Sequence, residues 1–257
     1  MTTSQSPSQG KLYVVGIGPG SPEHLTLKAA QVLKDVDIII GNGTYIDQVN
    51  HLITEQQVIR SGMGHEVERA NKAVELARNN QVAMVSGGDS NVYGMAGLML
   101  EMVQQSDQMV DIEIIPGVTA ISAVASLLGA PIVTDFAVIS LSDLLTSWDI
   151  IEKRLEAASE ADMVISLYNP KSRNRNTNFQ QAIKIIQRNR ADSVPVGIVR
   201  NALREEEPAV IVTTLGEALD HDDEVDMRTT VIIGNSESRI WDNKIITPRG
   251  YHKKYDY

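Results

Sequence analysis

The sequence contains no cysteine. This absence excludes disulfide bonds, cysteine-ligated zinc, cysteine-bound iron–sulfur clusters and a cysteine nucleophile, and it fits a reducing compartment. The chain begins with MTTSQSPSQG, which is polar and lacks the apolar core of an export signal. We therefore expect a cytoplasmic protein in which residues 1–10 form a disordered tail.

An excess of positive charge is also absent. Lysine and arginine total 23 against 33 aspartate and glutamate residues, so the formal net charge is −10 at pH 7. Such a chain has no overall electrostatic attraction for nucleic acid or for an anionic membrane. We expect neither as a partner, and an anionic ligand would need a local basic site.

The chain lacks a long apolar run without turn residues. The stretch of residues 114–134 carries no charge, but Pro116, Gly117, Gly129 and Pro131 interrupt it. Prolines and glycines at these spacings favour turns at both ends. The stretch therefore predicts a buried helix between two turns rather than a membrane span.

Short β-branched runs alternate with helical patterns along the first half, which is typical of an α/β fold with a mostly parallel sheet. The pattern changes near GAPIVTD, residues 129–135, and the later runs AVIVTT and TTVIIG lie closer together. We therefore predict an N-terminal α/β domain over residues 11–131 and a C-terminal α/β domain with a mixed sheet over residues 132–257.

Nearly every predicted strand ends in small or turn-forming residues, in the segments GIGPGS, SGGDSN, PGVTA, YNPKS and VRNA. In open parallel sheets these carboxyl-end loops form the ligand crevice. The first loop is neither a dinucleotide fingerprint, whose third glycine comes one position later, nor a Walker loop, which needs a lysine. The helices that follow the first two loops are predicted to begin near Leu25 and Tyr93.

The segments VVGIGPG, SGGD and PGVTA stand in an order that resembles the tetrapyrrole methylase family, whose members transfer methyl groups from S-adenosylmethionine. Further blocks are similar to the branch that methylates carbon 17 of precorrin-3B or cobalt-precorrin-3 in cobalamin biosynthesis: TYID, EVERA, YGMAGL, LYNPKSRNR, VGIVRNA, DMRTTVIIGNS and TPRGY. The resemblance runs from about Leu12 to Tyr251. It implies a homodimer of two-domain chains, with S-adenosylmethionine and the tetrapyrrole in the cleft between the domains.

The resemblance also implies roles for residues at matching motif positions. The residues expected to line the cofactor, which leaves as S-adenosylhomocysteine, are Pro19, Gly87, Gly88, Asp89, Val92, Thr119, Ala120, Tyr168, Asn201, Ala202 and Thr230. No residue is assigned to a metal site.

The tetrapyrrole carries several carboxylates, with or without cobalt in the ring, and a chain of net negative charge must attract them locally. The loop after LYNP gathers cationic and amide side chains that suit carboxylates. The predicted substrate-binding residues are Thr44, Asn169, Lys171, Arg173 and Arg175.

Methyl transfer to an electron-rich carbon depends on positioning and needs no nucleophilic side chain. The branch also contracts the macrocycle, which involves proton transfers that a placed acid or base accelerates. The candidates are Tyr45, Asp47, Ser142 and Asp143. For each of them a capping or turn role is an equal alternative.

Three short segments depart from the branch pattern: Gly87 with Ser90–Asn91, Asn42–Gly43, and Gly64–His65. They bear on substrate contacts rather than on the cofactor. Two other functions stay open, a sibling methylase acting at another ring carbon and a nucleotide-binding module without turnover, because a fold alone does not establish function.

Overall fold

The computed structural model describes residues 10–106, 109–204 and 206–256. The predicted tail of residues 1–10 lies outside the described residues except for Gly10. The chain forms two compact units, Met1–Ala120 and Ile121–Tyr257. The domain boundary predicted after residue 131 stays a prediction.

The first unit is built on a five-stranded sheet in the order β3-β2-β4-β1-β5, and every pairing in it is parallel. Its strands are β1 (Lys11–Gly16), β2 (Ile38–Asn42), β3 (Gln57–Ser61), β4 (Gln81–Ser86) and β5 (Asp111–Ile115). The predicted α/β class with a mostly parallel first sheet is confirmed.

Four helices connect these strands: α1 (Leu27–Asp35), α2 (Gly43–Gln48), α3 (Glu66–Leu76) and α4 (Ala96–Gln105). Both predicted helix starts came too early. The segment Pro22–His24 forms a separate 3-10 turn, and Thr26 caps α1 by accepting a hydrogen bond from Ala29 N. Tyr93 has a φ of 53°, which is incompatible with a right-handed helix, so α4 begins only at Ala96.

The sheet of the first unit is buried on both faces. Alternate residues of β1 point to opposite sides, with Leu12 and Val14 packed in one apolar cluster and Val15 in another. Helices on both faces are the usual cover of a parallel sheet. This double cover holds the strand ends, and therefore the loops that follow them, in fixed positions.

The second unit contains a five-stranded sheet in the order β10-β9-β11-β8-β7. Its strands are β7 (Phe136–Ser140), β8 (Val164–Tyr168), β9 (Pro195–Arg200), β10 (Ala209–Thr214) and β11 (Thr229–Ile233). β7 pairs with β8 in parallel and the other pairings are antiparallel, so the predicted mixed sheet is confirmed. A small sheet joins β6 (Gly129–Ala130), β12 (Arg239–Trp241) and β13 (Lys244–Ile246).

The remaining helices are α5 (Ala120–Leu128), α6 (Trp148–Glu160) and α7 (Asn178–Gln187), with 3-10 segments at Ala218–Glu224 and Tyr251–Lys253. The uncharged stretch does form a buried helix, because Ile121, Val124 and Leu128 of α5 are buried. No helix among the described residues is both long enough and apolar enough to cross a membrane.

Candidate functional site

Two glycine loops of the first unit lie in direct contact. β1 is the neighbour of β4 and β5, so the carboxyl ends of these three strands lie side by side. Gly18 N donates to Gly88 O at 3.0 Å, and Gly88 N donates to Gly18 O at 2.8 Å. The structure therefore brings the loop of Pro19 together with the loop of Gly87, Gly88 and Asp89.

The third loop approaches the other two through glycine. A Cβ atom added to Gly117 would lie 2.3 Å from Gly88 O, and one added to Gly16 would lie 2.7 Å from Gly117 N. Both distances are too short for any side chain. Glycine is needed here because the backbones of the loops touch.

Asp89 ties the second loop to the third. Its Oδ2 accepts a hydrogen bond from Gly117 N at 3.0 Å, and its Oδ1 accepts one from Asn91 N at 2.8 Å. Each carboxylate oxygen can accept a further hydrogen bond from a ligand. The carboxylate therefore orders the loops even without a ligand.

The backbone of Gly88 lies close to the third loop. A Cβ built on Gly88 would meet its nearest neighbours, Ala120 N, Thr119 Cα and Val118 O, at 3.9 to 4.0 Å. The φ of Gly88 is +65°, a conformation that L side chains rarely adopt. The structure thus brings Gly88, Thr119 and Ala120, three of the predicted cofactor residues, close together in the first unit.

Helix α2 carries three of the predicted site residues. Thr44 is exposed, and its N–H donates to Asn42 Oδ1 at 2.9 Å. The Tyr45 ring packs on Gly87, where an added Cβ would lie 2.5 Å from Tyr45 Cε1. Asp47 forms an exposed ion pair with Arg60 at 2.5 Å. Only Tyr45 of these three therefore contacts a predicted cofactor loop.

In the second unit, the predicted cofactor residues share one edge of the mixed sheet. β8 and β9 both run antiparallel to β11, so Tyr168 at the end of β8 and Asn201 after β9 lie near the start of β11, which contains Thr230. The Tyr168 hydroxyl accepts a hydrogen bond from Ile121 N at 2.7 Å. Tyr168 therefore anchors the start of helix α5.

Asn201 is buried and carries an unpaired acceptor. Its Nδ2 donates to Glu206 Oε2 at 2.7 Å, whereas its Oδ1 has no hydrogen-bond partner among the described residues. Its φ of 56° places it in the left-handed region. A buried acceptor without a partner costs free energy, and a ligand N–H or O–H group would remove that cost.

The predicted substrate cations differ in their surroundings. Lys171 Nζ lies 2.6 Å from Asp222 Oδ2 and donates to Asp222 O at 2.5 Å. Arg175 donates to Ser142 Oγ at 3.1 Å and to Asn169 O at 3.0 Å. Arg173 is exposed. The structure therefore assigns internal partners to Lys171 and Arg175, while Arg173 faces solvent.

Ser142 and Asp143 lie beside Arg175, with Asp143 Oδ1 4.0 Å from Arg175 Nη1. Because Ser142 Oγ accepts from Arg175, its own hydroxyl hydrogen is available to donate elsewhere. Sequence reasoning missed the residues that pair with the predicted substrate cations. Asp222, for example, is 51 positions from Lys171, and no local pattern connects them.

An ion pair between Arg200 and Asp226 closes the same edge of the second unit, with Arg200 Nε 2.8 Å from Asp226 Oδ2. Burial raises the pKa of Asp226, but hydrogen bonds from Arg200, the Arg228 N–H and Thr229 outweigh it and leave the pKa below its usual value. The hydrogen bond to Asp226 likewise raises the pKa of Arg200. Asp226 is therefore an anion at neutral pH.

The fold matches that of a known methyltransferase. The crystal structure of the methyltransferase CobJ superposes with a TM-score of 0.87 at 31% sequence identity, covering 93% of this chain and all of that one. The chain also matches the tetrapyrrole (corrin/porphyrin) methylases over residues 11–219. The chain belongs to this family.

Curated relatives of this chain differ in length. It is 49% identical over 97% of its residues to the cobalamin biosynthesis protein CbiHC of Archaeoglobus fulgidus, but covers only 55% of that protein. It covers 46% of another curated relative, and so spans about half the length of both. Against the probable cobalt-factor III C(17)-methyltransferase of Salmonella typhimurium it is 46% identical, covering 93% of this chain and 99% of that protein.

Proposed function

We propose that this chain transfers a methyl group from S-adenosylmethionine to carbon 17 of a tetrapyrrole of the precorrin-3B or cobalt-factor III type, with contraction of the ring, in cobalamin biosynthesis. The observation that carries this proposal is the 46% identity to the probable cobalt-factor III C(17)-methyltransferase, which extends over 99% of that protein. Conserved length on this scale favours the same reaction over a non-catalytic nucleotide-binding module.

The residues present suit the methyl donor. In the first unit, the backbone of Gly88, which lies next to Thr119 and Ala120, is proposed to hold the adenosyl group. In the second unit, the unpaired Asn201 Oδ1 is an acceptor for a ligand N–H or O–H group. The other residues proposed to bind the cofactor are Pro19, Gly87, Asp89, Val92, Tyr168, Ala202 and Thr230.

S-adenosylmethionine supplies an electrophilic methyl group on a sulfonium, and the ring carbon displaces the thioether. The work of the chain is to hold the two reactants in line and near contact, which contributes roughly 7 to 11 kcal/mol of barrier lowering. The three touching loops of the first unit, tied by Asp89, are proposed to perform this positioning. Tyr45, Asp47, Ser142 and Asp143 are the groups proposed to move protons during ring contraction.

Substrate carboxylates are proposed to bind at the loop that follows β8. Arg173 supplies an exposed cation, and Asn169, Lys171 and Arg175 shape the loop around it. Thr44 is proposed to contact the substrate from α2. We further propose that the enzyme is cytoplasmic, which its lack of cysteine fits, and that it acts as a homodimer, as the resemblance to this methylase branch implies.

The experiment is a methyl-transfer assay with isotopically labelled S-adenosylmethionine and a trimethylated tetrapyrrole, prepared with and without cobalt. The proposal predicts label at carbon 17 of a ring-contracted product in one of the two arms. Label at another carbon would favour a sibling methylase, and tight cofactor binding without any transfer would favour the module.

A further inference from the structure

Two arginines of this chain are almost fully buried, and they are bonded very differently. Arg190 is 7% exposed, and all three of its guanidinium nitrogens donate to backbone carbonyls at 2.5 to 3.2 Å, those of Ala158, Ser159, Met163 and Gly234. Every nitrogen of this side chain has a strong acceptor. Arg190 therefore has a structural role, because it links separate backbone segments of the second unit.

Arg69, on helix α3, is 5% exposed, yet only one of its nitrogens has strong acceptors. Its Nη1 donates to Ser61 Oγ at 2.5 Å and to Gly62 O at 3.1 Å. Its Nη2 has only the Met95 sulfur at 3.9 Å and Glu66 Oε1 at 3.7 Å nearby. Its Nε is buried and has no partner in the part of the chain that the structure describes.

The under-bonded nitrogens of Arg69 form one edge of the guanidinium. Nε–H and one N–H of Nη2 point in the same direction, and this fork matches the two oxygens of a carboxylate. A buried cation whose donors lack partners is costly, so the arrangement is stabilised by an anion that fills the fork.

Glu66 shields this charge without filling the fork. Its Oε1 lies beyond hydrogen-bond distance from Arg69 Nη2 and instead accepts a hydrogen bond from Gly64 N at 3.0 Å. The Glu66 side chain is 36% exposed, so it has solvent to move into. It is therefore an internal carboxylate that an incoming one can replace.

Arg69 also lies at the edge of the sheet where α/β proteins bind ligands. Ser61 is the last residue of β3, and Met95, the other neighbour of Arg69, donates its backbone N–H to Ser86 Oγ at 3.2 Å. Ser86 is the last residue of β4 and opens the loop of Gly87 and Gly88. Arg69 is thus linked through two contacts to the loop proposed to hold the cofactor.

We infer that Arg69 binds one carboxylate of the tetrapyrrole through Nε and Nη2, and that this carboxylate replaces Glu66. The inference rests on the proposed function, because it names a contact for that substrate. It adds a second anion site to the one proposed at Arg173, and this site requires a fork rather than a point charge.

The test uses a set of substrate analogues in which the side-chain carboxylates are converted to carboxamides one at a time. In the wild-type enzyme, one analogue is expected to raise KM by about 10- to 100-fold, the loss that a charge-assisted pair represents. In Arg69→Lys the same analogue is expected to raise KM by less than about 3-fold relative to the natural substrate. Lysine cannot form the fork, so the variant has little left to lose. The Kd of S-adenosylhomocysteine should stay unchanged.

Two further variants separate binding from folding. Arg190→Lys, the matched buried control, should lower thermal stability and leave the analogue penalty intact. Glu66→Gln retains an acceptor for Gly64 N but removes the competing charge, so it should lower KM for the natural substrate. An analogue penalty of equal size in wild type and Arg69→Lys, or a raised KM in Glu66→Gln, would overturn the inference.

Failure of the proposed methyl transfer can be distinguished from failure of the carboxylate site. If wild-type enzyme methylates no tetrapyrrole, the proposed function and the carboxylate site are both lost. If it methylates the substrate and Arg69→Lys keeps the wild-type analogue penalty, only the carboxylate site is lost.

Discussion

The ring of Tyr45 packs directly on Gly87, so that a Cβ atom at position 87 would lie 2.5 Å from Tyr45 Cε1 and 2.7 Å from Cζ. The tyrosine ring thus occupies the space that a side chain at position 87 would need. The two residues therefore act as a pair, and the aromatic ring supports the glycine loop proposed to hold the cofactor.

This contact predicts a specific non-additivity. Gly87→Ala should weaken binding of S-adenosylhomocysteine by about 10-fold or more, because overpacking of a tight contact costs about 1 to 3 kcal/mol. In a Tyr45→Ala background the same substitution should have little further effect. Isothermal titration of the four proteins measures the coupling, and additive losses would show that the ring does not set the loop position.

Substitutions of Asp89 should loosen the glycine loops to different degrees. Asp89→Ala removes the acceptors of both Gly117 N, which is part-buried, and Asn91 N, which is exposed and can bond to water instead, so we expect a loss of about 1 kcal/mol, mainly from Gly117 N. Asp89→Asn retains one oxygen and should lie between wild type and alanine. Thermal unfolding and cofactor titration should rank the three proteins in the same order. Equal stability of all three would contradict the bonding role.

Arg173 and Arg188 offer a matched pair of exposed arginines. Arg188 already pairs with Glu152 and Glu156, whereas Arg173 is proposed to meet substrate carboxylates. Arg173→Ala should weaken tetrapyrrole binding far more than cofactor binding, and Arg188→Ala should change neither. Equal losses of both ligands in Arg173→Ala, measured by titration, would count against a substrate contact.

Substitution of Ser142 should lower turnover without affecting cofactor binding. Its hydroxyl oxygen is held by Arg175, so its proton is free to be donated during ring contraction. Ser142→Ala should lower kcat about 100-fold, at the low end of general acid catalysis, with the cofactor Kd unchanged. A kcat within about 3-fold of wild type would leave Ser142 as a turn residue that only positions Arg175.

Asp226 predicts an acid-sensitive contribution to stability. Its pKa is lowered in the folded protein, so the stabilisation is complete above the pKa of the unfolded chain and is lost as pH falls through the folded value. The stability difference between wild type and Asp226→Asn should therefore be present at pH 7 and shrink below about pH 4, near the ordinary aspartate pKa. Unfolding midpoints measured from pH 3 to pH 7 test this, and a constant difference would contradict it.

Sequence patterns predicted the elements that have strong local signals. The β-branched runs of β1, β2 and β4 predicted the α/β class, and the closely spaced runs of β10 and β11 predicted a mixed second sheet. The small sheet of β6, β12 and β13 was not predicted, because strands of two or three residues are too short to show a period. The turn at Pro22–His24 and the positive φ of Tyr93 displaced two helix starts for reasons that are visible only in the backbone.

The sequence predicted the loops of the candidate site but not the hydrogen bonds and ion pairs that its side chains form. Glycine-rich strand ends predicted which loops lie together in the first unit, since chain direction alone places them at one edge of the parallel sheet; that they bind ligands stays a prediction. The partners of Lys171, Asp47 and Arg69 depend on tertiary approach between distant segments. Arg69 stood in the EVERA block, but its burial and its free edge could be read only from the structure.

The central claim is methyl transfer to carbon 17 of the tetrapyrrole. Its most direct measurement is the position of an isotopic methyl label in the product, determined by nuclear magnetic resonance after a single turnover with the trimethylated substrate. The proposed reaction places the label at carbon 17 of a contracted ring. Label at any other carbon, or none despite saturating S-adenosylmethionine, would contradict it.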